Sequence, residues 1–501
     1  MEYFINTVFI FLLSLLSYIH GCSSKKELPL TPVIPNEIDF SSVYDVKKVY
    51  EYLADNINEY NNPCDDFLMF TCERWVKKHN FNDKKKEYIS TYPEIKFKYQ
   101  AFVKGNVYLL TSTNYFLFSD VDSGKLKINS PTIKKLIQIS KKCDSLKNNR
   151  AKFCHDIVNK IKNYPYHVHY FSKYTNITKL KEIINTINKM SEVLKFEMKK
   201  IINTKKDIFD GKTKNALIKK LDSMKVNTKY IQTLYDTKYL EKCYGNVFYN
   251  DKDDVNKTYA NLQKLNQILI DAEDNKDKDC LKLMRNDPPL FVNNKEEHFI
   301  KYNSEENFIF FTPLFLLEPI FHEQLPFFYN FGTFGTILAH KFMELFNINE
   351  NHLYGQDKDK LITDDSKKKF SKKAECFTKQ YNSESVDKTI KDYKTLENFI
   401  AYSGGIKLAH KAYVTYINKY KIKVPRIRVF DKYTGDELFF IIYGMINCEK
   451  YASKGGNNNM LFNSPHQVHV RGSLKNYKTF SDIFKCGTDK KMNLKSRCEL
   501  W

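Results

Sequence analysis

The sequence predicts a mainly α protein with a minor β component (α+β), and at 501 residues it is long enough for two lobes with sizeable cores. Two observations carry this reading. Apolar residues recur at helical spacing in several long stretches, and one short segment reads as strand, turn, strand.

In chain order, a helical pattern from about Val43 to Asn80 carries Cys64 and Cys72. Residues 81–289 are rich in Lys, Asn and Ile. Within them Leu180, Ile183, Ile184, Ile187, Met190 and Leu194 lie on one helical face of Lys179–Ile202, so this region reads as an all-α lobe. In Ile300–Phe311, apolar runs flank a polar Ser-Glu-Glu-Asn turn. Phe331–Phe346 predicts a strong helix with Phe331, Phe334, Leu338, Phe342 and Leu345 on one face. Leu396–Ile417 predicts another, interrupted at Gly404-Gly405. No internal repeat is visible.

Tyr3–Ile19 is one apolar run, short and interrupted by Ser and Tyr, and it reads as the core of a signal peptide. Gly21-Cys22-Ser23 supplies small residues for cleavage, giving a signal peptide over 1–23 and a secreted product. Glu2 and the lack of a preceding Lys or Arg favour the alternative, an uncleaved anchor carrying an extracellular domain. Residues 24–45, with Pro29, Pro32 and Pro35, read as a linker. Removing Cys22 from the 11 cysteines leaves an even ten, which suggests a disulfide framework in an oxidising compartment. No CxxC pair is present, which argues against zinc knuckles. Asn176 and Asn256 lie in glycosylation sequons.

The net charge is +21, so acidic glycans or an anionic membrane surface are candidate partners. Nucleic acid is not, because no recognised binding motif or aromatic–basic module accompanies the charge. The lysines fall in short dispersed runs such as Lys84–Lys86 and Lys367–Lys369, as on solvated helix faces. No GxSxG motif is present, and the cysteines are better used in disulfides than as nucleophiles.

Four blocks in order resemble the neprilysin and endothelin-converting enzyme family of zinc metallopeptidases. The first is Asn62-Pro-Cys-Asp-Asp-Phe-Leu-Met-Phe-Thr-Cys-Glu-Arg-Trp75. The second runs from Tyr302-Asn303 through Phe310-Phe311-Thr-Pro313 to the helix holding His340. The third is Glu397-Asn-Phe-Ile-Ala-Tyr-Ser-Gly-Gly405. The fourth comprises Phe439-Phe440 to Cys448, Ser464-Pro465, Gly472-Ser-Leu474, Phe480 to Cys486, Met492-Asn493 and Cys498-Glu-Leu-Trp501.

The resemblance implies a two-lobed neprilysin-like fold. A thermolysin-like lobe with a small mixed sheet would be built from 46–80 and 290–501, beside a shortened α-helical lobe over 81–289 with a reduced cavity between them. It also implies the disulfides Cys64–Cys486, Cys72–Cys448 and Cys376–Cys498. Cys143–Cys243 and Cys154–Cys280 are then suggested by order.

A peptidase of this class needs two His at i and i+4 on a helix, a Glu beside the first as general base, and a Glu from a later helix as third ligand. The matching residues here are His340-Lys341-Phe342-Met343-Glu344. Lys341 stands where the base belongs, and a protonated ammonium neither accepts a proton nor tolerates a nearby dication. Glu344 takes the second ligand place, Asn398 the third, and Tyr402 that of the Asp supporting a zinc-binding His. Asn463 replaces the His that stabilises the oxyanion, His469 the Arg that binds substrate carbonyls, and Phe299 the Asn of the substrate-binding strand. His340 then reads as core-facing or paired with Glu344, and Lys341 as an ion-pair partner of Glu344.

No catalytic residue and no zinc are therefore expected. The reading is a secreted pseudopeptidase that binds a protein or peptide, or acts as a decoy or regulator. Two alternatives stand beside it. One is an active zinc metalloendopeptidase with a site rebuilt from His340, Glu344 and Glu397. The other is a basic surface- or glycan-binding structural protein.

Overall fold

A computed structural model describes residues 54–78, 88–90, 130–144, 154, 168, 177–226, 228–233, 237–245, 248–250, 252–254, 256–261, 263–264, 300–303, 307–311, 316, 320–323, 325–346, 362–384, 393–424, 432–451 and 465–501. The signal-peptide and linker segments, Asn176, Phe299 and Asn463 lie outside these residues, as do the bonds expected at Cys143–Cys243 and Cys154–Cys280. Cys154 itself is disulfide-bonded.

Helix α1 (Phe67–Lys78) starts where Asp66 accepts hydrogen bonds from the Leu68 and Met69 backbone amides, satisfying donors a helix leaves open at its N-terminus. The expected Val43–Asn80 pattern is broken before this point. Pro63 and the Asn62 side chain, which accepts from the Cys64 amide at 2.8 Å, form a turn, so Cys64 precedes the helix while Cys72 lies within it. Phe67 meets Phe480 at 4.9 Å and Phe484 at 5.3 Å between ring centroids, both edge-on. The N-terminal segment is thus part of the C-terminal core.

Covalent bonds fix that arrangement. Cys64 joins Cys486, Cys72 joins Cys448 and Cys376 joins Cys498, with Cα separations of 5.3, 5.4 and 5.5 Å.

Helix α2 (Ile177–Thr204) is the long amphipathic helix expected from the spacing of its Ile and Leu residues, and its apolar stripe is buried. Helix α3 (Gly211–Ser223) follows, capped by Asp210, whose carboxylate accepts from the Thr213 amide at 2.7 Å. Strand β1 (Lys225–Val226) pairs parallel with β3 (Phe308–Phe311), and β2 (Ile300–Asn303) pairs antiparallel with β3 in the register Tyr302↔Ile309. This is the small mixed sheet. Its turn is held by Asn307 at φ 50°, a conformation Asn tolerates, whose amide donates to the Lys220 carbonyl and to the Ser223 hydroxyl. A second antiparallel pair joins Tyr88–Ser90 to Glu449–Tyr451. Within 81–289 the described elements are helices apart from two short strands, Tyr88–Ser90 and β1, each of which pairs with a strand outside that stretch. Two- and three-residue strands leave no readable alternation in sequence.

Three further helices build the site. The first is continuous but changes character along its length: α4 (Phe327–Asn330), a π-helical turn (Phe331–Gly335) and α5 (Thr336–Glu344). The second is α6 (Asp364–Glu384), and the third α7 (Tyr393–Lys419).

Helix α7 runs unbroken through Gly404-Gly405, contrary to the expected interruption. A Cβ on Gly404 would stand 2.4 Å from the Met343 sulfur, and one on Gly405 would stand 3.0 Å from the His340 backbone. The glycines are there because α7 and α5 pack backbone to backbone. The intrinsic cost of Gly inside a helix, about 1 kcal/mol each, is outweighed by that packing.

Helix α8 (Gly435–Ile446) is buried from Leu438 to Ile446 and opens with a Thr434/Glu437 capping box. Helices α9 (Pro465–Lys475) and α10 (Lys478–Ile483) complete this part. Among the described residues, no helix is long and apolar enough to cross a membrane.

Candidate functional site

The π-helical turn ends five residues before His340. Thr333 donates to the Tyr329 carbonyl at 2.8 Å and to that of Ile320, while Thr336 donates to Gly332 at 3.0 Å and Thr333 at 2.7 Å. A Cβ on Gly332 would lie 2.8 Å from the Phe439 carbonyl oxygen, so this turn packs directly against α8. Single π turns inside α-helices are frequent at functional sites.

On α5, Lys341 donates to Glu344 Oε1 at 2.5 Å, and His340 Nδ1 lies 3.7 Å from the same oxygen. The i, i+3 and i, i+4 spacings bring all three side chains to one side of the helix. The carboxylate is thus engaged by the ammonium. His340 Nε2 is buried with no hydrogen-bond partner among the described residues. Burial chiefly, with the nearby Lys341 and His466 charges, holds the His340 imidazole well below its ordinary range, so the ring is neutral.

Helix α7 presents Tyr402 to this group. Its ring lies 4.5 Å from that of His340, between centroids, and is stacked at 25° to His469. Its hydroxyl is 3.1 Å from His466 Nδ1, and His466 Nε2 is 3.0 Å from the Asn447 side-chain oxygen. If Nε2 carries the proton and donates to Asn447, Nδ1 accepts from Tyr402. Glu449 stands 3.8 Å from His466 Nε2. His469, 6% exposed, is sandwiched between Phe399 and Tyr402. Burial first, then the charges of His466 and His340, pull its pKa down to about 3, opposed by a hydrogen bond with the Thr395 backbone.

Of the residues singled out in sequence, His340, Lys341, Glu344, Tyr402 and His469 are brought together. Asn398 and Glu397 lie about one turn before Tyr402 on α7, both half-buried. Asn256 is exposed. His466 was missed. Its signal was the His-x-x-His spacing of His466 and His469, which puts both rings on one face of α9.

A dication needs three or four ligands in tetrahedral reach. Among the described residues no three His, Cys, Asp or Glu side chains form a group able to hold a metal, and this covers His340, Glu344 and Glu397. Glu344 is already engaged by a cation, and the ring of Tyr402 packs against the one remaining imidazole of the ligand motif.

Comparison with known proteins gives a consistent relationship. The model of Peptidase family M13 matches residues 301–500. Neprilysin-11 of Caenorhabditis elegans is 27% identical over 304 residues, which is 59% of this chain and 34% of that protein. Endothelin-converting enzyme 1 of Rattus norvegicus is 29% identical over 209 residues, 40% of this chain and 26% of the enzyme. The matched stretch thus spans about a quarter to a third of the length of these relatives. Among solved structures, a Haemonchus galactose-containing glycoprotein complex superposes with a TM-score of 0.52 at 19% identity, covering 71% of this chain and 55% of that one, a likeness of fold.

Proposed function

We propose that this chain, which belongs to the neprilysin family of zinc metallopeptidases, is a pseudopeptidase: it keeps the family's fold, has given up its peptide-cutting chemistry, and acts as a binding, decoy or regulatory protein. The observation that carries this reading is Lys341 on Glu344 at 2.5 Å beside His340. Where the family needs a carboxylate base next to a metal-bound water, this chain has an ammonium. It cannot take the water's proton, and it neutralises Glu344, the carboxylate paired with His340. Tyr402 supports the same reading. Packed on His340 and hydrogen-bonded to His466, it makes an aromatic and imidazole cluster where a carboxylate that orients a metal-binding histidine would be needed.

The framework is consistent with a binding role. Three disulfides and an aromatic core hold the helices that flank the cluster. On this reading the protein matures in an oxidising compartment, is secreted, and carries glycan at Asn256.

The test is metal content and cleavage together. Full-length protein from a secreting host, dialysed without chelator, is expected to hold zinc only at background and to leave peptide substrates uncut. Stoichiometric zinc with chelator-sensitive cleavage that His340→Ala abolishes would overturn the proposal and favour the rebuilt site.

A further inference from the structure

The cysteines and the cluster leave the large positive charge unexplained, and one helix concentrates it. On α6, Phe370, Ala374, Phe377 and Tyr381 face the core. At about 100° per residue, Lys368, Lys372 and Lys379 fall within about 40° of one another on the opposite side. All three are exposed. Lys372 and Lys379 flank Cys376 at i−4 and i+3. The Cys376–Cys498 bond therefore ties to this helix, at a position between Lys372 and Lys379, a segment that carries exposed Lys495 three residues before Cys498.

Neighbouring lysines are neutralised. Lys369 pairs with Asp365 at 2.6 Å, and Lys373 with Asp207 at 2.5 Å. Lys368, Lys372, Lys379 and Lys495 have no carboxylate partner among the described residues. Glu375 is the acid at the edge of the stripe. Four ammonium groups on a helix and the segment bonded to it, set against the single acid Glu375, form an electropositive surface for an extended polyanion.

We infer that this face binds a sulfated polysaccharide. The chemistry separates it from other polyanions. The stripe has no aromatic side chain on which bases could stack, as single-stranded nucleic acid requires. It has no apolar residue to enter a lipid interface, as a membrane-binding helix requires. Lysine ammonium groups are point charges without the planar fork that reads one phosphate or carboxylate, so they suit a repeating sulfate ladder. This surface is separate from the cluster around His340 and does not depend on whether that cluster is inactive.

The test is salt-gradient elution of the full chain from heparin-agarose. It compares wild type, a variant with Lys368, Lys372, Lys379 and Lys495 changed to Gln, and a control with exposed Lys181, Lys219, Lys252 and Lys264 changed to Gln, which has the same net charge. Each contact releases counter-ions, at about 0.7–0.9 in the slope of log affinity against log salt, so the stripe variant is expected to lose about 3 units of slope and the control almost none. Circular dichroism melts confirm that both variants fold. Equal losses in the two variants would overturn the proposal. So would equal retention on chemically desulfated heparin, or binding to phosphatidylserine vesicles that matches heparin binding and depends on the same four lysines.

Discussion

Gly404→Ala decides whether the Gly pair in α7 is a helix breaker or a packing device. In an ordinary helix interior the substitution stabilises by about 1 kcal/mol, because Ala loses less backbone freedom. Here the new Cβ would stand 2.4 Å from the Met343 sulfur, 3.0 Å from Trp501 Cδ1 and 3.1 Å from Met343 Cγ. Carbon and sulfur cannot approach that closely, so Met343 must leave its place. It is 3% exposed, with Trp501 on the other side at 4%. Overpacking a site closed on both sides costs about 3 kcal/mol. The net expectation is a loss of about 2 kcal/mol, read from urea unfolding followed by the fluorescence of Trp75 and Trp501, both buried. Met343→Ala in the same background gives the mechanism. Alone it should cost about 2–5 kcal/mol for its cavity. Combined with Gly404→Ala, the loss should be smaller than the sum by 1 kcal/mol or more, because the new methyl fills part of that cavity. A stabilised Gly404→Ala, or strict additivity in the double variant, would refute the close-packing account.

Other expectations follow from the site and its frame. His469 has a folded pKa near 3 against 6.5 when free, so between those values the unfolded chain holds a proton the folded chain does not. Stability should therefore fall as the pH drops below 6.5, by about 2 kcal/mol at pH 5, and His469→Asn should flatten that slope. Replacing Cys376 and Cys498 together with Ala opens a 122-residue loop and should lower unfolding free energy by about 2–5 kcal/mol in urea titrations. Addition of EDTA should leave the melting temperature unchanged, whereas a resident structural metal would make it fall. Restoring the ligand set with Glu344→His and Asn398→Glu, and the base with Lys341→Glu, should yield a chain that binds one zinc by mass spectrometry. Failure to bind would mean the backbone itself no longer holds the ligand geometry.

Much of this was legible in the residues. The helix holding His340, the long α2 and the β2–β3 hairpin announced themselves through apolar periodicity, because each buries one face along several turns or a full strand. The Lys341–Glu344 pair followed from helical spacing alone. The Gly404-Gly405 pair did not, since a glycine that breaks a helix and one that lets a second backbone approach look alike until the neighbour is known. Pairing of the cysteines likewise came from the family blocks, as spacing by itself leaves many connectivities open. His466 escaped notice because its role depends on Tyr402 and Asn447, distant in sequence and adjacent only after folding.

The two long disulfides, spanning 422 and 376 residues, carry a consequence for how the molecule survives damage. A protease that cuts once anywhere between Cys72 and Cys448 severs the backbone yet frees neither piece, since α1 remains bonded to the far end of the chain. Such a nicked molecule would run at full mass on a non-reducing gel and fall into two bands only with reductant. The same ring closure means that Cys64 must wait, unpaired, until nearly the whole chain has been made before its partner exists. Synthesis and oxidation of this protein are therefore ordered in time by its covalent topology: Cys72–Cys448 can close first, then Cys64–Cys486, and Cys376–Cys498 only after both partners of the others exist.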